Sequence, residues 1–467
     1  MATAPLALPI DLHVAPGRGA STALALQLRE AILEGRLATG LRLPPTRELA
    51  QALGVARTTV VAVYEMLVAE GYARVRQGDG TFVQSLRRSS PAGAPLRARA
   101  VPAGPGTAAG PRFDLRLGSP DISSFPFDAW RRLAAKAWRS SAGHGYEASD
   151  PAGLAALREA IVGYASAARA VSCTPDDIVV TAGAQQAFDL LARTLVGPGS
   201  VVAVEDPGYP PARLAFAAAG ARIVGVPVDE QGLVVERLPR DARVVCVTPS
   251  HQFPLGVAMS PGRRVALLEF ARRNDAIVVE DDYDCEYRYD NRPLDALQTL
   301  APGRVCYVGT FSKTMFPALR LGFAIVPAPL RTRLLALRGV ADGFGAPAPQ
   351  WALAEFIHEG HLLRHVRRMQ RRYAQRRARL WAGVHDALGG QVDLLPATAG
   401  LHFSFRVRAG LDWSRALARA AQASLALERC SRYALRGRCD DCCALGFGLL
   451  RDEQVAAAID RLAFALG

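Results

Sequence analysis

Lysine is almost missing from this chain. Of its 56 lysine and arginine residues, only Lys136 and Lys313 are lysine. A composition this biased has replaced lysine wherever the two residues are equivalent, so a lysine that remains is a candidate for work arginine cannot do. Guanidinium stays protonated, whereas an ammonium group can lose its proton and attack a carbonyl. Other absences narrow the field. No apolar run is long enough to span a bilayer, which excludes a helical membrane protein. Residues 1–20 lack a basic segment followed by an apolar one, so no secretory signal is expected and the chain reads as cytoplasmic. The eight cysteines are scattered apart from a cluster near the C-terminus, and in a reducing compartment they would be thiols.

What is present points to more than one domain. At 467 residues the chain exceeds the size of one compact core, and half of it is hydrophobic. A net charge of +13 suggests a polyanionic partner. The first segment supplies a candidate reader of nucleic acid. Residues 21–35 read as a helix ended by Gly35, and a short helix from Thr46 is stopped by Gly54. A further helix over 57–70 places Val60, Val63, Tyr64 and Leu67 on one face. A hairpin follows, with Gln77-Gly78-Asp79-Gly80 as its turn. Two short helices around a glycine turn, followed by a hairpin wing, are the pattern of a winged helix-turn-helix. The start of the recognition helix, Arg57-Thr58-Thr59, would meet base edges, and Arg47 a phosphate. A solvated helix face is the alternative for each.

The segment resembles the winged helix-turn-helix of GntR-type bacterial regulators. The resemblance rests on Leu43-Pro44-Pro45-Thr46-Arg47-Glu48-Leu49-Ala50, on Arg57-Thr58-Thr59 and on Gly78-Asp79-Gly80-Thr81-Phe82-Val83. It implies a DNA-binding domain over 12–84 that uses Arg47, Arg57, Thr58, Thr59 and Gly80. Members often carry serine where Pro45 and Ala56 stand, so some hydroxyl contacts are absent here. Residues 85–110 are rich in Pro, Gly, Ala, Ser and Arg without periodicity and read as a flexible linker.

Over 111–467, short β-branched runs alternate with helical stretches. Strands are expected near 178–181, 200–204, 244–247, 276–280 and 305–308, with helices near 184–195, 211–219 and 261–273. This predicts an α/β fold with a mostly parallel sheet, whose ligands collect at the carboxyl ends of the strands. Four loops there carry chemistry. Thr181-Ala182-Gly183-Ala184-Gln185-Gln186 opens a helix whose free N–H groups suit a phosphate. Glu205-Asp206-Pro207-Gly208-Tyr209-Pro210 presents an aromatic ring that could cover a planar group, or that is simply packed. Glu280-Asp281-Asp282-Tyr283-Asp284 clusters carboxylates, which requires a cation; a protonated pyridine nitrogen or Mg²⁺ would serve, and no second acidic loop matches the metal. In the last loop, Thr310 and Ser312 offer hydroxyls beside Lys313, with Arg320 following, a set suited to a phosphate beside an amine.

An amine nucleophile, a carboxylate, an aromatic cover and two phosphate-binding elements are what pyridoxal 5'-phosphate requires. This part resembles the type I aminotransferase fold. With the winged helix in front, the chain resembles the MocR subfamily of GntR regulators. Long blocks carry the likeness, including 181–186, 205–210, 247–256, 280–284 and 308–313. The resemblance implies that Lys313 forms the imine with the cofactor, Asp281 pairs with its ring nitrogen, Tyr283 bonds its phenolic oxygen and Tyr209 stacks on the ring. Ala184, Gln185, Thr310, Ser312 and Arg320 would hold the phosphate. It also implies double-stranded operator DNA as partner and a head-to-tail homodimer.

Departures from the enzymes bear on function. Phe253-Pro254-Leu255-Gly256 replaces the usual Asn-Pro-Thr-Gly, and Cys442-Cys443-Ala444-Leu445-Gly446-Phe447-Gly448 lacks the substrate-carboxylate arginine. The expectation is therefore a pyridoxal phosphate-binding, ligand-responsive regulator of vitamin B6 or of amine and amino-acid metabolism genes. Its effector would be the cofactor itself or an amine or amino acid. The alternative is a catalytically active aminotransferase with a fused DNA-binding domain. Arg364, Arg367, Arg368, Arg371 and Arg372 form a helical stripe that would face DNA or another domain, or only solvent. Cys430, Cys439, Cys442 and Cys443 do not have the spacing of paired zinc knuckles, so no metal is expected.

Overall fold

A computed structural model describes residues 10, 12–14, 19–84, 112–139, 150–290, 294–408, 410–435 and 439–467. The expected linker, 85–110, lies outside the described residues. The chain divides into two compact units, Met1–Gly106 and Thr107–Gly467.

The first unit holds α1 (Ala20–Leu33), α2 (Thr46–Leu53), α3 (Arg57–Ala69), β1 (Ala73–Arg76) and β2 (Gly80–Val83). The apolar spacing read from α3 is the buried one: Val60, Val63, Tyr64 and Leu67 face the core, with Leu24 and Leu28 of α1 and Leu49 of α2. Gly54 ends α2 at φ 64, a left-handed conformation that glycine adopts without a Cβ penalty and that turns the chain into α3. Tyr64 donates to the Pro44 carbonyl at 2.9 Å, tying α3 to the turn before α2. The wing is antiparallel, with Ala73 opposite Val83 and Arg76 opposite Gly80.

The second unit begins with β3 (Phe113–Asp114), α4 (Phe127–Arg139) and α5 (Ala155–Arg169). Its main sheet is built from β4 (Ile178–Thr181), β5 (Val201–Asp206), β6 (Arg222–Asp229), β7 (Gly232–Leu233), β8 (Ala242–Val247), β9 (Ile277–Asp282), β10 (Val305–Thr310) and β11 (Gly322–Ile325). Their spatial order is β4-β11-β10-β9-β8-β5-β6-β7. The central run from β10 to β6 is parallel, as the alternation predicts, while β4, β11 and β7 make antiparallel pairs at the flanks. Both faces are buried, which explains the near-continuous apolar strands. Helices α6 (Ala184–Leu195), α7 (Pro210–Ala218), α8 (Pro261–Arg273), α9 (Leu297–Leu300) and α10 (Ala328–Ala341) connect the strands.

Then come α11 (Pro347–His358), α12 (His361–Leu388), β12 (Val392–Leu394), β13 (His402–Val407), α13 (Trp413–Gln422), β14 (Leu425–Ala426), β15 (Glu428–Arg429), β16 (Cys442–Gly446) and α14 (Val455–Leu466). A second sheet runs β12-β13-β16-β15, and β14 pairs with β3. Two arginines of the α12 stripe also make ties within this unit. Arg368 donates to the Ser124 carbonyl at 2.5 Å, and Arg372 and the neighbouring Arg376 bond Asp452 at 3.0 and 2.8 Å. Arg376 is fully buried. Arg364, Arg367, Arg368 and Arg371 stay exposed and Arg372 half-exposed, so the stripe is a surface face on which Arg368 and Arg372 are also tied to their own unit. Among the described residues no helix is long and apolar enough to cross a membrane.

Three strands run past the apolar patterns that announce them. The ladder carries β5 through Asp206, β9 through Asp282 and β10 through Thr310. The backbone at these carboxyl ends stays in the ladder and the polar side chains are buried, which is how they become site residues rather than solvated loop.

Candidate active site and DNA-reading surface

The acidic run on β9 is the most informative part of the site. Glu280, Asp281, Asp282 and Asp284 are all buried, an arrangement that costs free energy unless each charge is answered. Strand alternation sends them in different directions. Glu280 accepts from the Leu297 and Gln298 backbone N–H groups at 3.0 Å each, at the start of α9. Asp282 accepts from Arg169 and from the Tyr307 hydroxyl, both at 2.7 Å. Asp284 faces His251 Nδ1 at 3.0 Å and accepts from the Leu401 N–H at 3.0 Å. Asp281 is different: its Oδ1 is buried without a hydrogen-bond partner. Burial first, then neighbouring Asp282, pushes its carboxyl well above the usual range, and Lys313 opposes the shift.

Asp281 lines a cleft with Tyr209, Glu205, Arg213, Cys246 and Thr248. Tyr209, at the start of α7, is the more open of these, 37 % exposed. Its ring meets Phe253 edge-on at 5.4 Å, and Phe253 also packs edge-on against Tyr433 at 4.8 Å. Glu205 also has a buried oxygen without a partner, and burial pushes its carboxyl up to about 7. Tyr283 is buried, and its hydroxyl donates to the His251 carbonyl at 2.9 Å and lies 3.1 Å from His251 Nδ1.

Parallel pairing sets Val308 of β10 beside Asp281 of β9, so the Lys313 loop leaves the sheet at the same end. Lys313 is half-buried, and its amine donates to the Gly118 carbonyl. Burial lowers its pKa, while Asp284 and Asp281 pull it back up. A larger share of neutral amine at a given pH follows, which favours attack on a carbonyl.

The phosphate-type elements also converge. Gly183 has φ 82 and precedes α6, which has no side-chain cap at its N-terminus. The first-turn N–H groups of Ala184 and Gln185 therefore lack intrahelical partners. A Cβ on Gly183 would stand 3.3 Å from the Arg320 guanidinium, so glycine leaves room for that side chain. Arg320 donates to the Ala182 carbonyl at 2.8 Å, and the Thr310 hydroxyl reaches the Ser312 hydroxyl at 3.1 Å. The Gln185 side chain donates to the Pro211 carbonyl at 3.3 Å.

Sequence reading missed several neighbours. Gly118 lies 195 positions from the lysine it touches, and nothing local marks it. His251 lies within 247–256, and its sequence context gave it no role. His251, Asp284 and His402 present ligand atoms within 4.8 Å of one another, the group of this kind among the described residues. The cysteine cluster does not form such a group.

In the first unit, Arg47, Arg57 and Thr58 are exposed and Thr59 is half-exposed. Arg57 Nε lies 3.4 Å from the Thr46 hydroxyl, so the starts of α2 and α3 form one polar edge. Gly80 opens β2 at φ 115, and a Cβ there would stand 3.1 Å from Arg42 Nε. Its lack of a side chain makes room for Arg42, a cation the sequence reading passed over.

Known proteins match both units. Bacterial regulatory proteins of the gntR family match residues 20–83, and aminotransferases of class I and II match residues 114–454. The probable rhizopine catabolism regulatory protein MocR of Rhizobium meliloti is 40% identical over 410 residues, covering 85% of this chain and 83% of that one. The chain belongs to the MocR-type GntR regulators. The pyridoxine biosynthesis transcriptional regulator PdxR of Corynebacterium glutamicum is 36% identical over 400 residues, with 85% of each chain covered. Among solved structures, the kynurenine aminotransferase of Pyrococcus horikoshii matches with a TM-score of 0.70 and 27% identity, covering 76% of this chain and 90% of that one. This MocR-type protein is thus a transcriptional regulator with a DNA-binding winged helix and an aminotransferase-like domain.

Proposed function

We propose that this MocR-type regulator holds pyridoxal 5'-phosphate at Lys313 and that occupancy or amine exchange there sets how it engages operator DNA. The observation that carries this reading is the orphaned Asp281 Oδ1: it is buried and unpartnered in a cleft with Tyr209, while Glu280, Asp282 and Asp284 all have partners. A protonated ring nitrogen would supply the missing partner and stabilise the carboxylate. Lys313 offers an amine whose proton is loosened by burial. The N–H groups of Ala184 and Gln185, the hydroxyls of Thr310 and Ser312, and Arg320 suit a phosphate. Tyr209 would cover the ring, and the Tyr283 hydroxyl, now on the His251 carbonyl, would bond the phenolic oxygen. When bound, the cofactor supplies an aldehyde carbon open to amines and an electron-withdrawing ring.

Phe253 offers no hydrogen bond where the family's enzymes use asparagine, which supports sensing over turnover. The effector is the cofactor itself or an amine or amino acid. The regulator acts as a head-to-tail homodimer, reading DNA through Arg47, Arg57, Thr58, Thr59 and the wing at Gly80, with genes of vitamin B6 or amine metabolism as targets. Domain limits of 12–84 and 111–467, with the linker between them, go with this reading.

The test is a DNA-binding titration on the protein's own upstream region with and without pyridoxal phosphate, paired with absorbance spectra. The expected result is an imine band that Lys313→Ala loses, together with a change in DNA affinity when the cofactor is added. No band with saturating cofactor would overturn cofactor binding. Transamination at enzyme-like rates would replace the sensor with an enzyme.

A further inference from the structure

The cysteine cluster contains a pair that the function above does not use. Cys439 and Cys442 are separated by Asp440 and Asp441. The Cys442 N–H donates to the Cys439 carbonyl at 3.2 Å, closing a turn between them. A turn closed this way holds its end Cα atoms within about 7 Å, which overlaps the roughly 4.4–6.8 Å that a disulfide spans. Cys439 takes a left-handed φ of 67 within that turn.

The two thiols are in unequal surroundings. Cys439 is half-exposed, whereas Cys442 is buried at the start of β16. Cys442 Sγ donates to Asp441 Oδ1 at 3.5 Å, and interaction between the two thiols lowers the Cys439 pKa and raises that of Cys442. Arg406, paired with Cys442 across the β13–β16 ladder, also lowers Cys439, while burial, Cys430 and Asp441 oppose it. An accessible, thiolate-prone cysteine beside a buried partner is the arrangement of an attacking and a resolving thiol. The next thiol, Cys443, is directed elsewhere and donates to the Glu428 carbonyl at 3.2 Å. Cys442 and Cys430 pack with Leu255 and Val257, which follow Phe253 in the loop at the cofactor-type cleft. The pair therefore sits directly behind that loop.

We propose that Cys439 and Cys442 are a reversible dithiol–disulfide site, oxidised by hydrogen peroxide. The Cys439 thiolate attacks one peroxide oxygen. The O–O bond breaks, hydroxide leaves and takes up a proton, and Cys439 carries a sulfenic acid. The Cys442 sulfur then attacks Cys439, the S–O bond breaks and water leaves. Two thiols and one peroxide become one disulfide and two waters, and a dithiol reductant reverses the step.

Full-length reduced protein would be treated with hydrogen peroxide, blocked with N-ethylmaleimide and mapped by peptide mass. The expected result is a peptide spanning Cys439 to Cys443 that has lost the mass of two hydrogen atoms, carries one block instead of three and is restored by dithiothreitol. Cys443→Ser should keep the linkage, while Cys439→Ser and Cys442→Ser should each abolish it. The proposal is overturned if wild-type protein resists peroxide at these thiols or stops at unlinked oxygenated cysteines. It is equally overturned if the linkage persists in Cys439→Ser, or if bound zinc protects the cluster. Because wild-type mapping decides the main outcome, a variant that fails to fold does not blunt the test.

Discussion

In the winged helix, Arg47, Arg57 and Thr58 stand exposed, whereas in the aminotransferase-like unit Asp281, Tyr283 and Thr310 are buried and Lys313 is half-buried. The two sets act by different physics. An exposed cation works through charge and reach, stays solvated until a partner arrives, and is weakened by salt. A buried group is altered by the fold itself: burial loosens the Lys313 proton and pushes the Asp281 carboxyl upward. One unit offers a surface for a polyanion, and the other offers chemistry prepared by desolvation.

Substitutions that act on one side and spare the other would sharpen this contrast. The largest effect is expected for Lys313→Ala, which should abolish the imine absorbance and the cofactor response while leaving cofactor-free DNA binding intact. Loss of that basal binding in a mobility-shift assay would break the separation of the units. Asp281→Asn comes next. Removing one charge-assisted hydrogen bond should weaken cofactor affinity by about 10- to 100-fold, read by equilibrium dialysis. On the other side, Arg57→Ala should cost about 1–3 kcal/mol of operator affinity and relax preference at one base position, with the cofactor spectrum unchanged. Arg47→Ala should weaken binding evenly across sequences and reduce the log–log salt slope by about one.

The smallest effect concerns pH. Asp284 and Asp281 both raise the Lys313 pKa against the lowering by burial. Neutralising Asp284 as Asp284→Asn removes one raising charge, so the pH at which the amine reacts with pyridoxal phosphate should move further down. A midpoint that rises, followed by absorbance from neutral to alkaline pH, would contradict the assigned electrostatics.

Much of this organisation was legible in the chain. The period of Val60, Val63, Tyr64 and Leu67 marks the buried face of α3, and Gly54 marks the turn before it, because both signals are local. The parallel centre of the sheet followed from β-branched runs alternating with helices. Its antiparallel flanks did not, since β4 and β11 pair across more than 140 positions, and hydropathy carries no record of partner choice. The carboxyl ends of β5, β9 and β10 were read as loop because their residues are polar, although the ladder continues through them. The arginines of α12 form the exposed face their spacing suggests, but spacing alone did not show that Ser124 and Asp452 hold Arg368 and Arg372.

By itself the sequence determined which groups the molecule possesses: a lysine kept against a strong arginine bias, an acidic run after an apolar strand, and a helix-turn-helix carrying Arg47 and Arg57. These are properties of residue type and short spacing, which a linear chain holds in full. The tertiary structure decided their assignments. It gave α9 backbone to Glu280, Arg169 to Asp282 and His251 to Asp284, and left Asp281 with an oxygen unanswered. It also brought Gly118 against Lys313 and set Cys439 across a turn from Cys442. Satisfaction and desolvation of a buried group depend on distant partners, so only the folded chain could settle which carboxylate and which thiols remain available.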